Sequence, residues 1–242
     1  MSTSSQLITV ADIPVEVVRK NIKNLHLGVY PPDGKVRVAV PEHITDDNVR
    51  LAVVSRLSWI RKQQEEFRKQ PRQTEREYVS GESHYYQGRR YLLNVVEGRG
   101  KHSLSLANNA KMILKISPNT SIDNRALVFN NWYRQNLKLT IPQLLEKWQS
   151  VVGKQVSSWG VKKMKTKWGS CNIAEKRIWI NLELAKKSPE CLEYILVHEL
   201  VHLHERHHND NFRKLMDKFL PQWRKSRDTL KSEPLAYEDW GY

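Results

Sequence analysis

Between residues 198 and 208 the chain reads His-Glu-Leu-Val-His-Leu-His-Glu-Arg-His-His, which holds five of its nine histidines. His198, Glu199 and His202 make the pattern H-E-x-x-H. On a helix, His198 and His202 are one turn apart and point the same way. The segment around them is apolar: Leu192, Ile195, Leu196, Val197, Leu200 and Val201. A helix so apolar is largely buried. Burying two imidazoles and a carboxylate costs several kcal/mol for each group left without a partner, about 2–7 kcal/mol for a neutral one. The fold must therefore bring a partner to this face, and a zinc ion, bound at about 2.0–2.1 Å per imidazole, is the most economical one. Glu199 stands beside it, where a carboxylate can take a proton from an activated water.

The start of this helix is legible. Ser188 suits the N-cap, Pro189 the first helical position and Glu190 the first turn. Two ligands from one helix do not complete a zinc site. His208, six residues past His202, is placed where a chain leaving the helix can fold back as the third. His207 could take its place, and spacing alone does not choose between them. His204, two residues after His202, faces elsewhere on a continuing helix and reads as surface. One zinc per chain is the expected cofactor.

The remainder of the chain bounds the answer. Its 242 residues allow one large or two small domains. No run of 18 apolar residues occurs, so no transmembrane helix is expected. The N-terminus, Met1-Ser2-Thr3-Ser4-Ser5-Gln6, lacks a basic segment followed by an apolar core, so no secretory signal is expected. Two cysteines, Cys171 and Cys191, are too few for a disulfide framework and suit a reduced, cytoplasmic setting. The net charge of +14 leaves a nucleic-acid partner open, with Lys162, Lys163, Lys165 and Lys167 the one tight cluster near the motif. A salt-dependent affinity for DNA or RNA would mark such a partner.

The pattern of apolar residues predicts an α+β protein. Residues 23–40 read as a hairpin around Asp33-Gly34, and a helix follows from Thr45 to Gln70. Residues 71–77 look like a polar linker. A second hairpin is expected at 85–93 and a strand at Lys111–Ile116. A long helix spans Asp123 to Ser150, with Pro142 predicting a kink or two helices. Strands at Val161–Thr166 and Arg177–Leu182 then lead to the histidine helix, and a last helix covers Phe212–Phe219. Pro234–Tyr242 is expected to pack loosely. The chain shows no internal repeat. The expected division is an N-terminal hairpin-and-helix region, 1–150, and a catalytic region, 151–242.

With these residues in place, the chain resembles the YgjP-like family of zinc metallopeptidases, relatives of SprT-like proteases. The resemblance covers residues 19–228. It begins with Asp33-Gly34, Trp59-Ile60, Gly81-Glu82 and Gly88-Arg89-Arg90-Tyr91. Its most specific part is Met164-Lys165-Thr166-Lys167-Trp168-Gly169-Ser170-Cys171, then Ile178-Trp179-Ile180-Asn181-Leu182, then Val197-His198-Glu199-Leu200-Val201-His202-Leu203. In the last element His208 and Phe212 keep their places, while the residues flanking them depart from the family's N-H-S-x-x-F-W. The resemblance implies a zincin-like C-terminal region with a short sheet beside the H-E-x-x-H helix. It selects His208 over His207, and it implies that the Trp168–Cys171 segment borders the cleft.

The resulting expectation is a peptidase: His198, His202 and His208 hold zinc and Glu199 is the general base. Trp168, Gly169, Ser170, Cys171 and Trp179 are the candidate substrate contacts, for Trp168 and Trp179 against an alternative of core packing. An extended peptide is expected to add to the Arg177–Leu182 strand. No transition-state donor is visible. Three other readings are a hydrolase of nucleotide phosphoanhydrides, a DNA-associated SprT-like protease, and a non-enzymatic nucleic-acid-binding protein with a structural zinc. The first lacks a Gly-rich phosphate loop, and the last lacks the cysteine-rich set of structural sites.

Overall fold

Ala11 and Asp12 have φ of +46° and +67°, and Gln87 and Gly88 have φ of +49° and +75°. Two consecutive left-handed residues make the two-residue turn whose twist matches a hairpin. These two turns open the two halves of the architecture. The computed structural model describes residues 5–30, 33–69, 76–108, 110–164 and 167–232. The chain divides into two compact units between Thr74 and Glu75.

In the first unit, strands β1 (Ser5–Val10) and β2 (Ile13–Lys20) form one hairpin, and β3 (His26–Tyr30) and β4 (Lys35–Pro41) form another. Parallel pairing of β2 with β4 joins them in the order β1-β2-β4-β3. Val15, Val17, Val36, Val38 and Val40 line the inner face, where they meet Val49, Val53 and Ile60. The last three come from helices α1 (Asp46–Val54) and α2 (Leu57–Lys69). Thr45 caps α1. The single helix predicted over 45–70 is interrupted at Ser55 and Arg56, because the Ser55 hydroxyl donates to the Ala52 carbonyl and draws the backbone into a turn. Gln70 lies outside the described residues.

The second unit opens with the same arrangement. Strands β5 (Ser83–Tyr86), β6 (Arg89–Glu97), β7 (Ser103–Leu106) and β8 (Lys111–Ile116) run in the order β5-β6-β8-β7, and β6 and β8 are the parallel pair. Helix α3 (Ile122–Val152) follows. β6, β8 and α3 each start 76 residues after β2, β4 and α1 (Ile13 to Arg89, Lys35 to Lys111, Asp46 to Ile122). At the same offset, buried Val15, Val17, Val36, Val38 and Val40 become Tyr91, Leu93, Met112, Leu114 and Ile116. The caps correspond too: Thr45 Oγ1 accepts from Asn48 N–H, and Ser121 Oγ from Asn124 N–H. The chain therefore does contain a repeat, contrary to the sequence expectation. It shares a pattern of inward residues and turns rather than residue identities.

α3 is one helix through Pro142, not two. A continuous buried stripe of Phe129, Tyr133, Leu137, Ile141, Leu145, Trp148 and Val152 outweighs the hydrogen bond that proline removes. The expected division at residue 150 falls near the end of this helix. α3 packs on a 3-10 turn, Leu182–Lys186, and on helix α4 (Pro189–Val201). A third sheet completes the unit, with β9 (Ser158–Lys162), β10 (Gly169–Asn172) and β11 (Arg177–Asn181) in the order β10-β11-β9. Helices α5 (Asp210–Phe219) and α6 (Trp223–Ser232) pack against α4. Lys165, Thr166 and Pro234–Tyr242 lie outside the described residues. No helix among the described residues is long and apolar enough to cross a membrane.

His84 on β5 is buried, stacked 4.4 Å from Phe129 and 5.5 Å from Tyr78. Its Nε2 lies 3.0 Å from a Glu82 carboxylate oxygen, and that carboxylate also accepts the Glu77 and Tyr78 N–H groups. Burial, then the Arg76 and Lys186 charges, outweigh Glu82 and hold His84 down at about 3. A histidine neutral in the fold and titrating near 6.5 when unfolded contributes stability above pH 6.5, lost as pH falls toward 3. Chemical denaturation of the metal-free chain across this range should show stability falling with acid. The fall should be shallower in His84→Gln, and equal slopes would assign the acid sensitivity elsewhere.

Candidate metal centre

Helix α4 starts at Ser188-Pro189 as the sequence predicts, although the Ser188 side chain makes no capping hydrogen bond to the helix. Nine of its thirteen residues are buried, Glu199 among them. The helix ends at Val201, but His202 keeps right-handed helical geometry as its C-cap. His198 and His202 therefore remain one turn apart on one side.

The chain then turns through residues 203–209, and the Glu205 carboxylate organises this turn. It accepts the His207 N–H at 3.0 Å and the Asn211 side-chain amide at 3.2 Å. These donors hold its carboxyl below the usual range. Asn209 caps α5 by accepting the Phe212 N–H. The turn delivers His208 to the other two imidazoles. The Nε2 of His208 lies 2.9 Å from that of His198 and 3.1 Å from that of His202, and the His198–His202 pair is 3.2 Å apart. Phe212 supports all three rings, with centroids at 4.9, 4.8 and 4.8 Å.

The chemistry of this trio follows from its outer contacts. His202 Nδ1 lies 3.0 Å from the Glu205 carbonyl oxygen, so Nδ1 carries the proton and donates it. The Nε2 of His202 then presents a lone pair toward the other two nitrogens. Burial, then the His202 and His208 neighbours, hold His198 down at about 3, so it is neutral at pH 7. Three imidazole nitrogens converging this closely with their lone pairs inward repel unless an electrophile stands between them. In a tetrahedral zinc site with bonds of about 2.05 Å, neighbouring nitrogens lie about 3.3 Å apart. The donor set fits a metal ion.

Glu199 is the buried carboxylate of the region. Burial raises it to about 8, with the Lys167 charge pulling the other way. It lies against strand β10 so closely that a Cβ on Gly169 would stand 2.5 Å from its Oε1 and 2.8 Å from its Cγ. Gly169 is therefore the absence of a side chain that admits this carboxylate. Cys171, two residues on, shares that face. Burial, then Glu199, push its thiol up to about 11, so it stays protonated and weakly reactive.

The structure separates the other sequence candidates. Gly169 and Cys171 pair with Ile180 and Ile178 and face α4, whereas Ser170 pairs with Trp179 on the opposite face. There Trp179 lies over Gly160, with Lys162 Nζ 4.8 Å and the Arg177 guanidinium 5.8 Å from its ring. Trp168 is half-buried against the main core. His204 is exposed and donates to the Val152 carbonyl at the end of α3, and His207 stays outside the trio. The expected peptide docking on Arg177–Leu182 is corrected: β11 is the central strand, paired with β10 and β9, and has no free edge. The free edge beside Glu199 belongs to β10.

A family model described as YgjP-like, metallopeptidase domain, matches residues 23–233. The chain belongs to the YgjP-like metallopeptidase family. The crystal structure of the metallopeptidase zymogen of Pyrococcus abyssi abylysin is similar over 38% of this chain and 91% of that one, with 22% sequence identity and a TM-score of 0.35. No curated protein matches the chain. Sequence reasoning missed three residues of this YgjP-like site: Glu205, which organises the turn, Phe212 as the platform, and Asn181, described below. Phe212 and Asn181 did carry a signal, as residues of the motifs behind the family resemblance, but not for these roles.

Gly169→Ala should displace the Glu199 carboxylate and destabilise the fold by about 1–3 kcal/mol, the usual cost of overpacking. Ser170→Ala, one residue along on the other face, should cost less than about 0.5 kcal/mol. Denaturant titrations of the two variants check this, and equal effects would show that the close contact is not rigid.

Proposed function

We propose that the chain is a zinc-dependent peptidase in which His198, His202 and His208 hold the metal and Glu199 is the general base. The observation that carries this reading is the convergence of three imidazole Nε2 atoms with a buried carboxylate one residue along the same helix. A zinc ion in that trio supplies Lewis acidity for the scissile carbonyl and for the attacking water. The chain's own groups do the rest. A nearby cation favours the ionised form of Glu199 over the protonated form that burial alone favours. Glu199 then takes the proton of the attacking water and delivers it to the leaving amine. A base held near neutrality by burial is suited to both transfers.

The substrate of this reading is an extended peptide lying along the free edge of β10. Main-chain hydrogen bonds to that edge would align the peptide beside Glu199 without demanding a particular sequence. Gly169 keeps the approach to Glu199 open, and Trp168 and Cys171 flank it. The second unit, which carries the whole constellation, is the catalytic part, and within it residues 151–232 supply every group named here.

Metal analysis by mass spectrometry should find about one zinc per chain in the wild type and in Glu199→Gln, His204→Ala and His207→Ala. His208→Ala should lose most of it. On a peptide substrate, Glu199→Gln should lower turnover about 10²–10⁴-fold with metal retained, the range expected for loss of a general base. Zinc retained in His208→Ala, or full turnover in Glu199→Gln, would overturn the assignment.

A further inference from the structure

Lys167 is an exposed cation whose ammonium makes no ion pair or hydrogen bond among the described residues. Its backbone, by contrast, is held firmly. The buried Asn181 side chain donates to the Lys167 carbonyl at 2.8 Å and to the Met164 carbonyl at 3.0 Å. The Asn181 Oδ1 accepts the Met164 and Glu183 N–H groups at 3.3 and 3.2 Å, and the Asn181 N–H donates to the Trp168 carbonyl at 2.9 Å. All four hydrogen-bonding positions of the amide are used, so this clasp fixes where β10 begins. Gly169 and Cys171 fall on one side of β10 at the strand period of two, and Lys167 lies just upstream, before the bend at Trp168. Gly169 touches Glu199, and Cys171 feels the same carboxylate. The Lys167 charge acts on both Glu199 and His202. An ammonium that makes no ion pair among the described residues thus belongs to the residue just upstream of β10, close enough for its charge to act on Glu199 and His202.

We propose that Lys167 is a specificity-determining residue that selects a carboxylate side chain next to the scissile bond of an extended peptide. This inference rests on the peptidase reading above. Among the described residues the ammonium makes no ion pair or hydrogen bond, so an acidic side chain gains an ion pair there while a basic side chain meets repulsion. Asn181 is the positioning residue, because it holds the Lys167 backbone and not the substrate.

The test is calorimetric binding of dipeptide hydroxamates to the zinc-loaded full chain. Two side chains are compared, aspartate and lysine, placed on either side of the metal-binding group. Wild type should bind the aspartate compound about tenfold more tightly in one placement, since attraction replaces repulsion across a partly exposed pair. The preference should shrink at high salt. Lys167→Arg should keep it, Lys167→Ala should abolish it and Lys167→Glu should reverse it, with zinc content unchanged in all three. Equal affinities in wild type, or a preference that survives in Lys167→Ala, would overturn the role of Lys167 while leaving the peptidase reading intact. If neither compound binds a chain that carries zinc, the peptidase reading falls as well.

Discussion

Three imidazole nitrogens facing one another at 2.9–3.2 Å are the arrangement on which the C-terminal half of this protein is organised. Each element nearby serves that convergence. α4 supplies two rings one turn apart, the Glu205 turn returns the chain to bring the third, and α5 places Phe212 under all of them. The Glu205 carbonyl fixes which nitrogen of His202 keeps its proton, and so which one faces inward. Converging lone pairs do not hold together by themselves.

The short sheet beside this trio is built around small residues and one amide. Gly169 lets Glu199 approach the backbone of β10, and Gly160 lets the Trp179 ring lie across β9. Asn181 ends the central strand and ties the preceding loop to it with a fully used side chain. Apolar packing alone would leave that loop free, whereas a buried amide with all its hydrogen bonds satisfied specifies a single position for it. The sheet thereby keeps an unpaired edge beside the carboxylate. An unpaired edge is normally a liability that proteins blunt; here it lies where a peptidase would align its substrate.

The four-stranded motif with a following helix occurs twice, and its two copies have diverged in the helix. In the first, the helix breaks at Ser55 and the module closes on its own core. In the second, a helix of 31 residues continues past the sheet to pack on α4 and the turn before it. The second copy thus became the platform of the histidine helix. What the copies share is an inner face of apolar residues at period two, a tight turn and a capped helix start, which are the features that physical chemistry requires of such a module. Val36, Val38 and Val40 answer to Met112, Leu114 and Ile116, so residue-by-residue comparison conceals the correspondence.

Much of this was legible along the chain because it depends on local rules. The hairpin around Asp33-Gly34, the strand Lys111–Ile116, the Ser188-Pro189 helix start and the placing of His198 and His202 on one face, with Glu199 beside them, all follow from periodicity, turns and caps. β1, β2, β7, β10 and α6 went unread: the first two are short of polar punctuation around Ala11-Asp12, and β7 and β10 have only four residues each. The choice between His207 and His208 was beyond local spacing, because it depends on how Glu205, Asn209 and Asn211 shape a turn. The strand that lies at the sheet edge and the contact of Gly169 with Glu199 were equally out of reach, since strand order and close approach are relations between segments distant in sequence. The sequence by itself determined which residues are the candidates for the chemistry, because residue type and helical period are local properties. Tertiary structure alone decided how the third imidazole is delivered and which strand edge lies beside Glu199, because those meetings are settled by packing across the fold.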